Sequence, residues 1–366
     1  MSRKLAALGA VLFAPATLLA DFSYTETTRL TGGMIAQLSR SLGGLSKSMR
    51  RITEPQTSSV YVKGDRMAHI GAVDGQVWDL SKETITFIDF EKKTYSTITL
   101  AEMKAAMEKA MQRMQNSRER EKSNAEVNIK MDVKQTGKTK PISGMDAREV
   151  LMTLIMEAKD KKSGQTGATE MMSSIWVVDN VPGHDELTKF YTKMAEKMAS
   201  TWGVSPLGRQ AAMLGGTDPK MLEWAQQMAK EAEKLKGVHV MQIMKYGSGL
   251  DPAKASEVTD PSTMPEGPTK GEVAGKAAEE SAASAIGRAL PGGLGRIGGF
   301  GRRNKEKEKE KEQAPPPQSQ PQGPAVLMEM VSESSNFSTA SVDASKFEVP
   351  AGFKLVENPM AKMARE

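Results

Sequence analysis

The clearest pattern in the chain is the alternation over residues 126–134. Val127, Ile129, Met131 and Val133 point one way, while Asn128, Lys130, Asp132 and Lys134 point the other. A period of two with one apolar side predicts a half-buried antiparallel strand. The period changes at residues 100–121. Met103, Met107, Met111 and Met114 recur at i, i+4, i+8 and i+11, which places them on one face of a helix with Glu and Lys opposite. Ahead of that helix, Phe22, Tyr24 and the Thr-rich run after them predict a first strand. Residues 31–56, with Gly32–Gly33, Gly43–Gly44 and Pro55, predict a loop with a short helical piece. Strands are then expected at 58–63, 66–71, 75–80, 84–90 and 93–99. Turn signals stand at Gly64–Asp65, Asp74–Gly75 and Glu91–Lys92–Lys93. Such short spacing leaves room only for hairpins, so the sheet is expected to be antiparallel.

Further along, strands are expected at 146–158, 168–179, 237–246 and 326–339, and helices at 184–200 and 207–236. The second of these helices carries Met221, Trp224 and Met228 on its apolar face. Residues 250–324 differ in kind. Pro, Gly, Ala and Ser recur, and the run RRNKEKEKEKEQAPPPQSQPQGP lacks the apolar surface that would offset chain entropy. They read as a disordered insertion in one folded domain, formed by 21–249 and completed by the last strands and tail at 325–366.

The first twenty residues, MSRKLAALGAVLFAPATLLA, have a positive start at Arg3 and Lys4, an apolar stretch from Leu5 to Leu19, and Ala20 before Asp21. This is the form of a secretory signal peptide, with cleavage after Ala20 or Ala16. A transmembrane anchor fits less well, because the run is short of a span and Pro15 interrupts it. The expected location is the periplasm, with secretion as the alternative, and the mature chain is expected to have no transmembrane segment.

Composition narrows the chemistry. The chain has no Cys, so disulfides, thiolate metal sites and thiol nucleophiles are excluded. A net charge of +5 over 366 residues and 5% aromatics give no basis for nucleic-acid binding. The 26 Met are the compositional oddity.

Several runs together resemble the LolA-like bacterial domain of unknown function family 4412, akin to the periplasmic lipoprotein carriers and localisation factors. They are YVKGDRMAHIGAVDGQVWDLSKETITFIDFEKKTY at 61–95, ISGMDAREV at 142–150, SIWVVDNVPGHDELTKF at 174–190 and FEVPAGFKLVE at 347–357, in the family's order. The resemblance implies an α+β fold: a curved, unclosed antiparallel β-barrel, or half-barrel, with helices packed on its concave face. It also implies a space between sheet and helices that in the carriers holds acyl chains. The insertion is foreign to the carrier pattern.

The Met stripe fits three roles: core packing of helix on sheet, a flexible apolar wall for an acyl chain or other lipophile, or Cu(I) capture by thioethers. A spacing of about 6 Å between i and i+4 spreads the sulfurs too far for a compact metal site on one helix. Met103, Met107, Met111, Phe190, Met194 and Trp224 are the candidate ligand-binding residues. The alternative is a structural or interaction protein of the cell envelope with a packed core, using the 250–324 loop to contact a protein partner. No enzyme is expected. GxSxG and HExxH signatures are lacking, and Asp79 and Asp89 end apolar strands beside turns, where Asp serves local hydrogen bonds. No cofactor is implied. Gly293–Gly298 matches GxGxxG without the strand and helix that the motif requires.

Overall fold

The computed structural model describes residues 21–42, 51, 54–121, 125–160, 166–202, 230–231, 233–260 and 325–365. Twelve strands form one unclosed sheet, with neighbours in the order β12-β6-β5-β4-β3-β2-β1-β11-β10-β9-β8-β7. The first half is a meander: β1 (Phe22–Gly32), β2 (Gln56–Lys63), β3 (Arg66–Gly71), β4 (Asp74–Asp79), β5 (Thr84–Asp89) and β6 (Thr94–Thr99). The second half is another meander: β7 (Ala125–Ile142), β8 (Met145–Asp160), β9 (Thr166–Val178) and β10 (Val238–Ser248). β11 (Ala325–Ser338) lies between β1 and β10 and joins the two halves. All of these pairings are antiparallel; only β12 (Lys354–Leu355) adds in parallel, on β6.

Four helices are present among the described residues: α1 (Gly33–Leu42), α2 (Leu100–Glu121), α3 (His184–Trp202) and α4 (Pro359–Arg365). The alternation at 126–134 and the Met-bearing helix at 100–121 are both found, the strand extending to 18 residues. The second expected helix, 207–236, lies mainly outside the described residues; Glu233–Leu235 form a single 3-10 turn. One turn is displaced. Asp74–Gly75 does not turn but opens β4, with Gly75 opposite Ile70, and the chain reverses at Ala72–Val73 instead. The Val73 carbonyl accepts the Phe90 N–H at 2.9 Å, which fixes that reversal without a glycine.

Strand parity assigns the core to two faces. On one face, Phe22, Val60, Val62, Met67, Trp176, Val178, Val238 and Val240 pack with Leu187 and Phe190 of α3. Further along that face, Ile85 and Ile98 pack with Leu100 at the start of α2 and Ala361 of α4. The intervening residues Tyr61, Ala68, Val77, Ile88 and Tyr95 point to the other face, where Val342, Phe347, Val349 and Phe353 cover them. The second half has its own outer layer: Met131, Val133, Val150, Ile175 and Val177 under Leu235.

Residues 250–260, which composition assigned to the disordered insertion, lie against the sheet. Ala255 is buried, Lys245 donates to the Lys254 carbonyl at 2.6 Å, and Thr259 is bonded to Glu329. Two buried charged side chains in β10 and β11 hold this stretch, a feature that segment composition does not register. Residues 261–324 lie outside the described residues.

Candidate functional site

The candidate wall residues divide between two packed clusters. α3 is amphipathic because Leu187, Phe190 and Met194 recur at helical spacing. Asp185 and Glu186 stand in its first turn, where carboxylates complement the helix dipole. Phe190 is 0% exposed and packs with Phe22 and Val62, and Met194 leans on the same cluster from the side. Phe190 is therefore a core residue in this arrangement and faces no open space. Met103 sits half-buried on the other cluster, against Ile85, Ile98 and Leu100. Trp78 touches both clusters and joins them. Met107 is half-buried on α2, while the deepest residue of that helix's middle is Ala106 between the Met positions. The backbone of Met111 belongs to α2, but its side chain is not among those described, and Trp224 lies outside the described residues.

Salt bridges fasten α3 to the hairpin turns beneath it. Lys193 pairs with Asp65 at 2.6 Å and Lys197 with Glu83 at 2.8 Å. Lys104 of α2 donates to the Thr201 carbonyl at 3.1 Å and ties the two helices together. Along this seam runs an open groove of about 380 Å³, lined by Asp65, Leu80, Ser81, Lys193, Glu196, Lys197 and Ser200. Six of those seven side chains are polar.

Apolar surface that remains open lies one layer away on the same face of the sheet. Phe87 is 36% exposed, opposite Gln76 on β4 and Ser96 on β6. Tyr191, next to Phe190 on α3, is also exposed. Tyr24, stacked on Phe337 at 5.8 Å, has its pKa raised by burial, with Tyr191 and Glu26 adding to the effect.

Two polar arrangements were not legible in the sequence. Ser58 Oγ lies 2.7 Å from His69 Nε2, a nucleophile–base distance. Both residues sit in the β1–β2–β3 ladder, with Glu26 opposite Ser58. Backbone N–H groups in such a ladder are committed strand to strand, so this spot lacks the convergent donors that acyl transfer needs. Lys140 Nζ lies 4.0 Å from the Trp176 ring centre, and burial pulls its pKa down against the attraction of Glu149 and Glu333. Among the described residues, the buried Trp176 indole N–H has no hydrogen-bond partner.

Asp79 and Asp89 are occupied with their own turns. Asp79 accepts from the Ser81 hydroxyl and the Lys82 N–H, and Asp89 from the Lys92 N–H and ammonium. Among the described residues, no group of three or more His, Asp or Glu is placed to hold a metal ion, and no helix is long and apolar enough to cross a membrane.

No protein-family model matches the chain, and no curated protein matches it either.

Proposed function

We propose that this is an exported envelope protein of the LolA-like half-barrel type. It works by contacting a protein partner through the inserted segment rather than by catalysis. The observation that carries this reading is the stem of the insertion. Before the segment, Thr259 is bonded through both its N–H and its hydroxyl to Glu329 of β11, at 2.7 Å each. After it, Ala325 enters β11 directly and pairs with Ser248 of β10. The 64 residues 261–324 thus leave and re-enter beside the same two strands. Packing under α3, where Phe190 and Leu187 fill the space over Phe22 and Val62, supports a scaffold role for the folded part.

Photo-crosslinking in cells tests this. Adducts to one defined envelope protein are expected from probes within 261–324 and not from probes on β7 or α3. Replacing 261–324 by a short Gly/Ser linker is expected to remove the adducts while the melting temperature stays within a few degrees. Adducts that survive the replacement would reject the reading.

The exposed ring of Phe87, with Met103 and Met194 half-buried on neighbouring helices, favours a second reading. In it an acyl chain or similar lipophile lies between the sheet and the Met-bearing helices. Solvent extraction of protein purified from the periplasm, followed by mass spectrometry, separates the two. A stoichiometric lipid supports the second reading, and a ligand-free protein removes it.

A further inference from the structure

The ammonium of Lys140 is held by weak partners. Its Nζ lies 4.0 Å from the centre of the Trp176 ring and 3.5 Å from Met241 Sδ. Among the described residues, that thioether is its one hydrogen-bond acceptor, and thioether sulfur accepts weakly. Glu149 and Glu333 attract Lys140, but among the described residues it forms an ion pair with neither. The Glu149 oxygens are engaged by Ser174, Thr136 and Lys138. The Trp176 N–H, on a side chain only 4% exposed, also has no acceptor among the described residues.

Strand register sets these groups in one row. Glu149 stands opposite Trp176, Trp176 opposite Met241, and Met241 opposite Glu333. Two N–H donors without an oxygen acceptor thus stand beside one half-buried thioether. An anion brought to them would meet two carboxylates, whereas a neutral oxygen would not be repelled. Oxidation of Met241 supplies such an oxygen. The sulfoxide carries no net charge, and it puts a strong acceptor on the sulfur that Lys140 already contacts. A sulfoxide in purely apolar packing is disruptive, but here its oxygen meets a donor.

The same contact favours the reaction. The sulfur lone pair attacks one oxygen of hydrogen peroxide, the S–O bond forms and the O–O bond breaks. The departing hydroxide takes the proton of the transferred hydroxyl and leaves as water, so sulfur is oxidised by the two electrons that reduce the peroxide. Negative charge develops on oxygen in that step, and a cation 3.5 Å from the sulfur stabilises it.

We infer that Met241 is a methionine-oxidation site, where a small peroxide converts the thioether to a sulfoxide that Lys140 holds by a hydrogen bond. Limiting hydrogen peroxide on the full chain, followed by site-resolved mass spectrometry, tests it. Met244 and Met330 are the controls. They are half-buried register partners on β10 and β11, and neither has a hydrogen-bond donor at its sulfur among the described residues. Met241 is expected to oxidise about fivefold or more faster than either control in the folded protein, the effect of one hydrogen bond to a charged group. In urea the three rates should converge, because the fold alone brings Lys140 to the sulfur. Lys140→Leu, which keeps an apolar stem over Trp176, is expected to bring Met241 down to the control rate. A folded-state rate at Met241 no higher than the controls overturns the inference. So does an excess that persists in urea, or one that survives Lys140→Leu with circular dichroism unchanged. Should that variant fail to fold, the comparison of folded with urea-unfolded parent chain still decides.

Discussion

The carboxylate of Glu329 sits 1% exposed between Thr31, Thr259 and Lys245. It accepts from the Thr31 hydroxyl at 2.7 Å and twice from Thr259, while the Lys245 ammonium lies 3.5 Å away. Lys245 is itself only 7% exposed and spends a proton on the Lys254 carbonyl. A buried pair of this kind is costly to break on one side, because the remaining charge is stranded in a poor solvent. Glu329→Ala is expected to destabilise the fold by about 3–5 kcal/mol in urea titration. The double variant Lys245→Met, Glu329→Leu strands no charge and should recover most of that loss. Limited proteolysis should show faster cutting in 250–260 in both variants, since Thr259 loses its anchor in each and Lys254 loses its own in the double variant.

Gly183 offers a more local test. It stands just before α3 with φ of +82°, and an added Cβ would meet Thr339 Cγ2 at 2.6 Å and Phe22 Cδ2 at 2.9 Å. Both the backbone conformation and the space therefore demand glycine. Gly183→Ala is expected to cost about 1–3 kcal/mol and to lower the thermal midpoint. At Gly64, whose φ is +58°, an added Cβ meets nothing within 4 Å, so Gly64→Ala should cost less.

How far the sequence exposed this architecture depends on the range of the forces involved. Strands β2 to β6 were readable because their hairpins are short and their apolar residues periodic. Parity did the rest: Met67 and Ala68 had to face opposite sides. The Ala72–Val73 reversal was missed because its driving contact, the bond from Phe90 to Val73, joins residues that only the fold brings together. α4 was missed for a similar reason. Seven residues are too few to declare a helix by period, and Ala361 is held by Ile85 and Ile98 from distant strands. Among the site residues, Phe190 and Met194 stand four apart on α3 and pack on the same cluster. Spacing cannot say whether such a face meets a ligand or a packed sheet, and Phe22 and Val62 supply that answer only through tertiary contact.

Acid sensitivity should appear in two steps. His184 lies edge-on to Phe22 at 6.0 Å. Burial lowers its pKa below the ordinary value near 6.5, with Asp185 acting in the opposite sense and His239 reinforcing the shift. A depressed histidine pKa means that the fold prefers the neutral ring. Stability is then full above about pH 6.5 and falls as pH drops through that value towards the folded pKa. Glu149 follows at lower pH. Burial alone would raise its pKa, but hydrogen bonds from Ser174 and Thr136, together with Lys138, hold it below the usual glutamate value. Its contribution is present above about pH 4.5 and is lost as pH falls through the lowered value. Urea midpoints measured from pH 7.5 to 5.5 should decline in the parent chain. They should be flatter in His184→Gln, which has no ionisable ring.

Phe190 and Phe87 separate a filled interior from an open one. Both rings lie on the helix-bearing face, yet Phe190 is fully buried and Phe87 is 36% exposed. Phe190→Ala removes a ring enclosed by Phe22, Val62 and Leu187, and is expected to cost about 3–5 kcal/mol, much of it from the cavity left behind. Phe87→Ala removes a ring that water already reaches, so a loss of about 1 kcal/mol or less is expected in the same urea titration. If the face serves only as packing for a scaffold, Phe87→Ala should leave the lipid content of periplasmically purified protein unchanged at zero. A stoichiometric lipid in the parent chain that falls several-fold in Phe87→Ala, at unchanged stability, would instead make Phe87 the floor of a binding site. The ratio of the two effects carries the argument: a residue important for folding moves the urea midpoint, and a residue important for ligand binding moves the extract.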